Sequence, residues 1–389
     1  LNNQNWIPIG SGVKDDLRTI TFKGNFYGQG HTIKNLSITG DTGVVQFGLF
    51  GFIENSDIEN LILDTVYINC DEITQDIGGF GCGSLFGWAI YSNISNIQVK
   101  NAFIDMETSP IETPMPGGLG GDVHDCTVMN SSVVDSVITS KENSLGGIIG
   151  EVRSSSLYFN MTNCYAKNVI LRNGRYVGGL IGYIGQNQSS NQVAYVQNSY
   201  AEVTFEFTDE FSIVPYVGTL VGSVAIGKEV HFDNLYSAAK FLNSSNRTIK
   251  AGTVLGYNAS NKLNINNVYY NSETTGLSTV IGAGNAATSS INVSGLGTAT
   301  MKDATGASHT LNYILNNWVK NNAGEYYSWT VLDNDYPSFD VPEVKSIKVL
   351  PVVKEDYPGE TMQLEKEKLP FGANDIEVKS KSNKHNDVG

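Results

Sequence analysis

Three kinds of side chain in this sequence could do chemistry: carboxylates grouped in loops, a few histidines and cysteines, and tyrosines that recur at a regular step. Asp71, Glu72 and Asp76 share one loop, and Asp105, Glu107 and Glu112 share another. Two acids held about 5–9 Å apart can run glycoside hydrolysis. On a chain of net charge −14, however, acidic loops are ordinarily solvated surface. His31, His124, His231, His309 and His385 form no His-Glu-x-x-His pair and no metal-ligand spacing, and His31 reads as a turn residue. No Gly-x-Ser-x-Gly elbow sits between a strand and a helix. The run Gly78-Gly79-Phe80-Gly81-Cys82-Gly83 lacks the Lys-Ser/Thr and helix of a phosphate cradle. Asp333-Asn334-Asp335 offers calcium ligands without the rest of a loop, and reads as a turn. The expectation is therefore no catalytic residue, no metal and no cofactor.

The tyrosines carry a sharper expectation. An apolar residue, one spacer and Asn or Asp recur as Ile58-Glu59-Asn60, Ile94-Ser95-Asn96, Val123-His124-Asp125, Met161-Thr162-Asn163, Val196-Gln197-Asn198, Phe232-Asp233-Asn234 and Ile265-Asn266-Asn267. Two places further stand Ile62, Gln98, Thr127, and then Tyr165, Tyr200, Tyr236 and Tyr269. If each repeat is one coil, these four tyrosines stack on successive rungs, on the face opposite an inward apolar ladder. Exposed, such a row offers platforms for sugar rings and hydroxyls for hydrogen bonds. Covered by a loop, it is packing.

The elements that must position them repeat at the same beat. Glycine blocks end at Gly51, Gly87, Gly121, Gly150, Gly182, Gly222 and Gly256, spaced 36, 34, 29, 32, 40 and 34 residues apart. A steady period in this range marks a solenoid or propeller, whose units bury their apolar faces only against neighbours. Three short runs per unit, rich in β-branched and aromatic residues and bounded by Gly, Asn and Ser, read as strands. Three strands per unit favour a parallel β-helix over a four-stranded propeller blade. Like residues then stack about 4.8 Å apart. Residues 70–82 and 107–117 read as side loops. Cys126 and Cys164 fall at one position of successive repeats, on the inward ladder with Leu61, Ile97, Leu235 and Val268, where a thiol acts as a small apolar group. A disulfide between them stays open, as does a staple of the first loop by Cys70 and Cys82.

The Gly-Gly-Leu-Ile-Gly block followed by Asn-Cys-Tyr-Ala or Asn-Ser-Tyr-Ala resembles the GLUG repeat of bacterial secreted and surface proteins. Gly179-Leu180-Ile181-Gly182 with Asn198-Ser199-Tyr200-Ala201 is the cleanest copy. The lead-in Trp6-Ile7-Pro8-Ile9-Gly10, the stretch Phe22 to Ile33, and the exit through Val268-Tyr269-Tyr270, Gly295 to Lys302, Trp329 and Tyr336-Pro337 resemble such arrays over residues 6–340. The resemblance implies an all-β, right-handed parallel β-helix of about seven repeats, found in adhesins or in non-catalytic parts of large surface enzymes. It supplies no fixed catalytic residues. Leu311, Ile314, Leu315 and Trp318 share one helical face, with Ser308 as the N-cap, and this helix is expected to close the open end of the coil. Residues 1–340 thus form one domain. Residues 341–389, from Val344-Lys345-Ser346-Ile347 through Pro358-Gly359-Glu360-Thr361 to Glu377-Val378-Lys379, resemble the start of a bacterial Ig-like group 2 domain, cut short or shortened, or a solvated tail.

At 389 residues and 40% hydrophobic content the chain can build a large core. Its acidity argues against nucleic acid, which needs clustered Lys and Arg. No apolar run reaches membrane-spanning length, and no signal peptide is present. The chain reads as a monomeric fragment of a longer precursor, extracellular or on a bacterial surface. The expected role is a non-catalytic, adhesin-like module binding a glycan or a host surface protein. A scaffold within a larger secreted peptidase or glycan-degrading enzyme is the alternative, and a β-helix carbohydrate-active enzyme comes third.

Overall fold

Each coil starts with a strand whose apolar residues alternate and whose corners are left-handed. In Asp57–Asn69 the residues Ile58, Leu61, Leu63, Val66 and Ile68 are buried. Alternation breaks at Asn60 (φ 57°) and again at Thr65 (φ 62°). A single left-handed residue bends a strand, and Asn tolerates that conformation better than most residues with a Cβ. Asn96, Asn130, Asn163, Asn198, Asn234, Asn267 and Asn292 adopt the same conformation in register with Asn60.

The computed structural model describes residues 5–11, 20–39, 46–69, 80–106, 114–141, 143–153, 158–185, 193–208, 214–243 and 248–339. The chain is an all-β parallel β-solenoid. One long sheet runs through Phe26–Thr39, Asp57–Asn69, Asn93–Met106, Ser132–Ser140, Tyr165–Asn173, Val193–Phe207, Glu229–Ser237, Lys262–Asn271 and Ser289–Leu296. A second, the glycine sheet, stacks Phe50–Glu54, Phe86–Ile90, Gly120–His124, Ile149–Arg153, Ile181–Ile184, Val221–Val224, Leu255–Asn258 and Ile281–Gly284. A short sheet of Ser144–Gly146, Tyr176–Gly178, Tyr216–Gly218 and Lys250–Gly252 lies against it. One apolar core runs inside, and its leucine column Leu49, Leu85, Leu119, Leu180 and Leu220 is buried throughout. Among the described residues, no helix is long and apolar enough to cross a membrane.

The glycine blocks permit backbone-to-backbone contact between the glycine sheet and the short sheet. A Cβ at Gly182 would sit 2.5 Å from both the Gly150 oxygen and the Leu145 nitrogen, and one at Gly256 would sit 2.6 Å from the Val217 nitrogen. No side chain fits between these strands. Gly282, in Val280-Ile281-Gly282, occupies the same position in an eighth strand that lacks the leading glycine of the other blocks.

Several expectations need correction. The third repeat's corner Asn is Asn130, because Asp125 (φ 50°) lies in register with Asn55 and Tyr91 at a different corner. Both corners demand a left-handed residue, so both attract Asn or Asp and look alike in sequence. Ser132, and not Thr127, therefore precedes Tyr165 in the tyrosine column, and Ser131, not Cys126, precedes Cys164. Cys82, Cys126 and Cys164 are free and buried. Cys70, the acids Asp71, Glu72, Asp76, Glu107 and Glu112, and residues 341–389 with the Ig-like expectation lie outside the described residues.

The helix Leu311–Asn321 is capped by Thr310, whose side chain accepts from the Tyr313 N–H, and not by Ser308. It lies along the flank of the coil, against Glu229–Ser237 and Lys262–Asn271, and not across the end. The reason is local: the Asn234 side-chain amide donates to the Leu315 carbonyl at 3.3 Å, so the helix docks on a corner column.

Replacing Gly182 by Ala should cost at least about 3 kcal/mol, because backbone on both sides must move. Gly227→Ala, where φ is 76° and no atom stands within 4 Å, should cost only about 1 kcal/mol. Urea denaturation of the two variants checks the difference.

Candidate functional site

The tyrosine column exists, but it is not an exposed platform. Tyr165 and Tyr200 stack with centroids 4.8 Å apart and planes 1° apart, and Tyr200 and Tyr236 stack at 4.9 Å and 6°. Their faces are thus occupied by one another. Tyr200, Tyr236 and Tyr269 are 1%, 0% and 7% exposed, and Tyr165 is half-buried. Trp329 and Phe339 pack over the edges of Tyr200 at 5.8 and 5.6 Å, and Phe339 also contacts Tyr165. The Tyr236 hydroxyl lies 2.6 Å from the Pro337 carbonyl and 2.9 Å from the Glu202 carboxyl. Burial raises the pKa of Tyr200 and Tyr236 well above that of a free phenol. Tyr165, Tyr200 and Tyr236 are thus the seat of a C-terminal strap, and Tyr269 is buried beside them, so the column expected to bind ligand is packed within the chain.

The strap is held chiefly by the corner asparagines. Each side-chain amide donates to the oxygen of the Asn one rung earlier: Asn163 to Asn130 at 2.8 Å, Asn198 to Asn163 at 2.8 Å, Asn234 to Asn198 at 2.6 Å and Asn267 to Asn234 at 2.6 Å. The second amide hydrogens of Asn163 and Asn198 go to the carbonyls of Glu325 and Tyr327, at 2.8 and 3.0 Å. In return the Tyr327 N–H donates to Asn163 and the Trp329 indole N–H to Asn198. The turn Asp333-Asn334 is left-handed at both residues, and Asp335 beyond it pairs with Lys167 at 2.7 Å and Lys302 at 3.5 Å. These lysines hold the Asp335 carboxyl below its ordinary pKa against the opposing effect of burial.

A second line of side chains was not anticipated. The residue following the last glycine of each block falls into one register column: Phe52, Trp88, Asp122, Glu151, Tyr183, Ser223, Tyr257 and Ala283. The short sheet contributes a parallel column of Ser144, Tyr176, Tyr216 and Lys250. The two meet in a seam. Tyr176 packs on Tyr183 at 5.1 Å and on Tyr216 at 5.9 Å, and Tyr216 packs on Tyr257 at 4.9 Å with planes tilted by 54°. All four are half-buried. The exposed Arg175 guanidinium lies 5.0 Å over Tyr176, and the exposed Lys250 ammonium 5.2 Å over Tyr216. The signal for this seam was present in the sequence as the position one past each glycine block.

The seam also contains two carboxylates on adjacent rungs. Arg153 Nε lies 3.0 Å from Glu151 and 3.3 Å from Asp122, whose side chains are 1% and 3% exposed. Ser144 donates to Glu151 at 3.2 Å, and His124 stands 3.2 Å from Asp122. Burial pushes the Glu151 carboxyl up to about 7, with Arg153 opposing and Asp122 adding to the rise. Burial, with Glu151 behind it, pushes the Tyr183 phenol up to about 12. A raised acid beside a second acid is the pattern of glycosidic acid catalysis. Here one guanidinium bridges both acids beneath the surface, so the arrangement is a packed ion cluster and not an open reaction site. Among the described residues, no group of three His, Cys, Asp or Glu could hold a metal.

No family model and no curated sequence matches the chain. Among solved structures it is similar to "a putative immunoglobulin A1 protease from Bacteroides ovatus", with 17% identity, a TM-score of 0.46, and coverage of 87% of this chain and 81% of that one.

Asn198→Gly keeps the left-handed backbone but removes the amide. It should cost about 2–3 kcal/mol by orphaning buried partners in the ladder and the strap, as read by urea denaturation. Glu151 binds its proton more tightly folded than unfolded. Its contribution to stability is therefore full below about pH 4.5 and is lost as the pH rises through about 7. Glu151→Gln should remove that component, so that the difference in urea midpoint between variant and parent grows in favour of the variant from pH 5 to pH 8.

Proposed function

We propose that this chain is a non-catalytic, ligand-binding solenoid module of a secreted or cell-surface protein, and that its ligand lies along the seam. The observation that carries the reading is the row of half-buried tyrosines, Tyr176, Tyr183, Tyr216 and Tyr257, that surfaces between the glycine sheet and the short sheet. Tyrosine supplies apolar area, a phenolic hydrogen bond and little conformational entropy to lose, which suits recognition of a glycan or of a protein loop. A solenoid sets such groups at a constant step along one side, so an extended ligand meets one rung after another. The resemblance to GLUG arrays supports placement outside the cell. The ion cluster of Asp122, Glu151 and Arg153 supports the non-catalytic half of the reading, because its acids are already committed to a guanidinium.

A second reading, a scaffold inside a larger secreted peptidase or glycan-degrading enzyme, is favoured by the strap, which seals one flank of the coil. A glycan array separates the two. The full chain should bind a subset of glycans saturably, and Tyr216→Ala/Tyr257→Ala should lose that binding while keeping the parent's far-ultraviolet circular dichroism. A chain that binds no glycan favours the scaffold.

A further inference from the structure

Resting on the seam reading above, we infer that the ligand class is an acidic polysaccharide, one carrying a carboxylate on its sugar rings. The charge of the seam decides this. Its acids, Asp122 and Glu151, lie beneath the surface and are neutralised in part by Arg153. Among the described residues its accessible charges are cationic: Arg175 and Lys250 are exposed, each seated over a tyrosine ring. This occurs on a chain whose net charge is −14, so a cationic strip runs against the general field of the molecule. Exposed cations beside phenols attract an anion that also has an apolar face and hydroxyl groups, which a uronic sugar has.

The geometry favours a polymer over a single sugar. Tyr176, Tyr216 and Lys250 stand on three successive strands in strict register, with Tyr183, Ser223 and Tyr257 beside them on the same three coils. The rung step of about 4.8 Å is close to the length of one pyranose unit, so neighbouring sugars meet neighbouring rungs. The Tyr176 and Tyr216 rings stack on one another and are half-buried, so each keeps part of its surface for a ligand. The 54° tilt between Tyr216 and Tyr257 breaks that stack.

The test is calorimetric titration of the full chain with an oligogalacturonide, and with the neutral galacto-oligosaccharide of the same linkage and length. The acidic oligomer should bind, and about tenfold more weakly at 0.5 M than at 0.05 M salt, because surface charge pairs are screened. Arg175→Glu/Lys250→Glu should weaken binding at least tenfold. Lys240→Glu/Lys262→Glu, an equal charge change at exposed lysines of the long sheet, should leave it within twofold. Equal loss in both double variants would overturn the inference, since general charge and not the seam would then be responsible. Binding of the neutral oligomer as tightly as the acidic one, lost in Tyr216→Ala/Tyr257→Ala, would overturn the acidic assignment and leave the seam reading standing. Binding of neither oligomer would also overturn it, and the glycan array then shows whether the seam reading falls too.

Discussion

The fold depends on a contact from which side chains are excluded. At Gly182, Gly222 and Gly256 the glycine sheet approaches the short sheet so closely that an added Cβ would overlap backbone atoms. This contact closes those coils on one side, while the apolar ladder fills them on the other. Because it is made backbone to backbone, it tolerates little sliding. Each coil is thereby set in phase with the next, and like positions become columns.

Columns are what the molecule then uses. The corner asparagines are needed first for their left-handed backbone, and from Asn130 to Asn267 their amides, brought into line, form a hydrogen-bonded ladder with a second donor to spare at Asn163, Asn198 and Asn234. A strap of the chain's own C-terminal segment takes up those donors and covers the tyrosines beside them. Burying these amides without that partner would cost more than the ladder itself returns, which gives the strap its place on the flank and not at the end of the coil. On the other side, the close approach of two sheets lines up the residues just past the glycines along the seam, where Tyr183 and Tyr257 are half-buried and Asp122 and Glu151 are buried. One constraint thus generates a sealed flank and an open one.

The sequence made the coil legible because its signals are local and repeated: glycine blocks, corner asparagines and alternating apolar residues. It misled where two corners share one requirement. Asp125 and Asn130 are both left-handed, and only inter-strand register tells them apart. The tyrosine column was visible, yet its cover was not, since Trp329 and Phe339 reach Tyr200 across more than a hundred residues of chain. The seam escaped notice for a related reason. Its column changes character from Trp88 to Asp122 to Glu151 to Tyr183, so no one residue type runs along it, and only position relative to the glycines is constant. The helix was expected at the end of the coil from its apolar face alone, but the carbonyl of Leu315 and the amide of Asn234 decide where it docks.

The most direct measurement of the central claim is a disulfide trap of the seam's register. Tyr176 and Tyr216 are register partners on adjacent strands, within the Cα separation that a disulfide spans. Tyr176→Cys/Tyr216→Cys should therefore form an intramolecular bridge on mild oxidation, identified by peptide mass spectrometry. Tyr176→Cys/Val217→Cys should not, because one step along a strand turns the side chain to the opposite face. A bridge in the second variant and not in the first would contradict the register on which the ladder, the strap and the seam all rest.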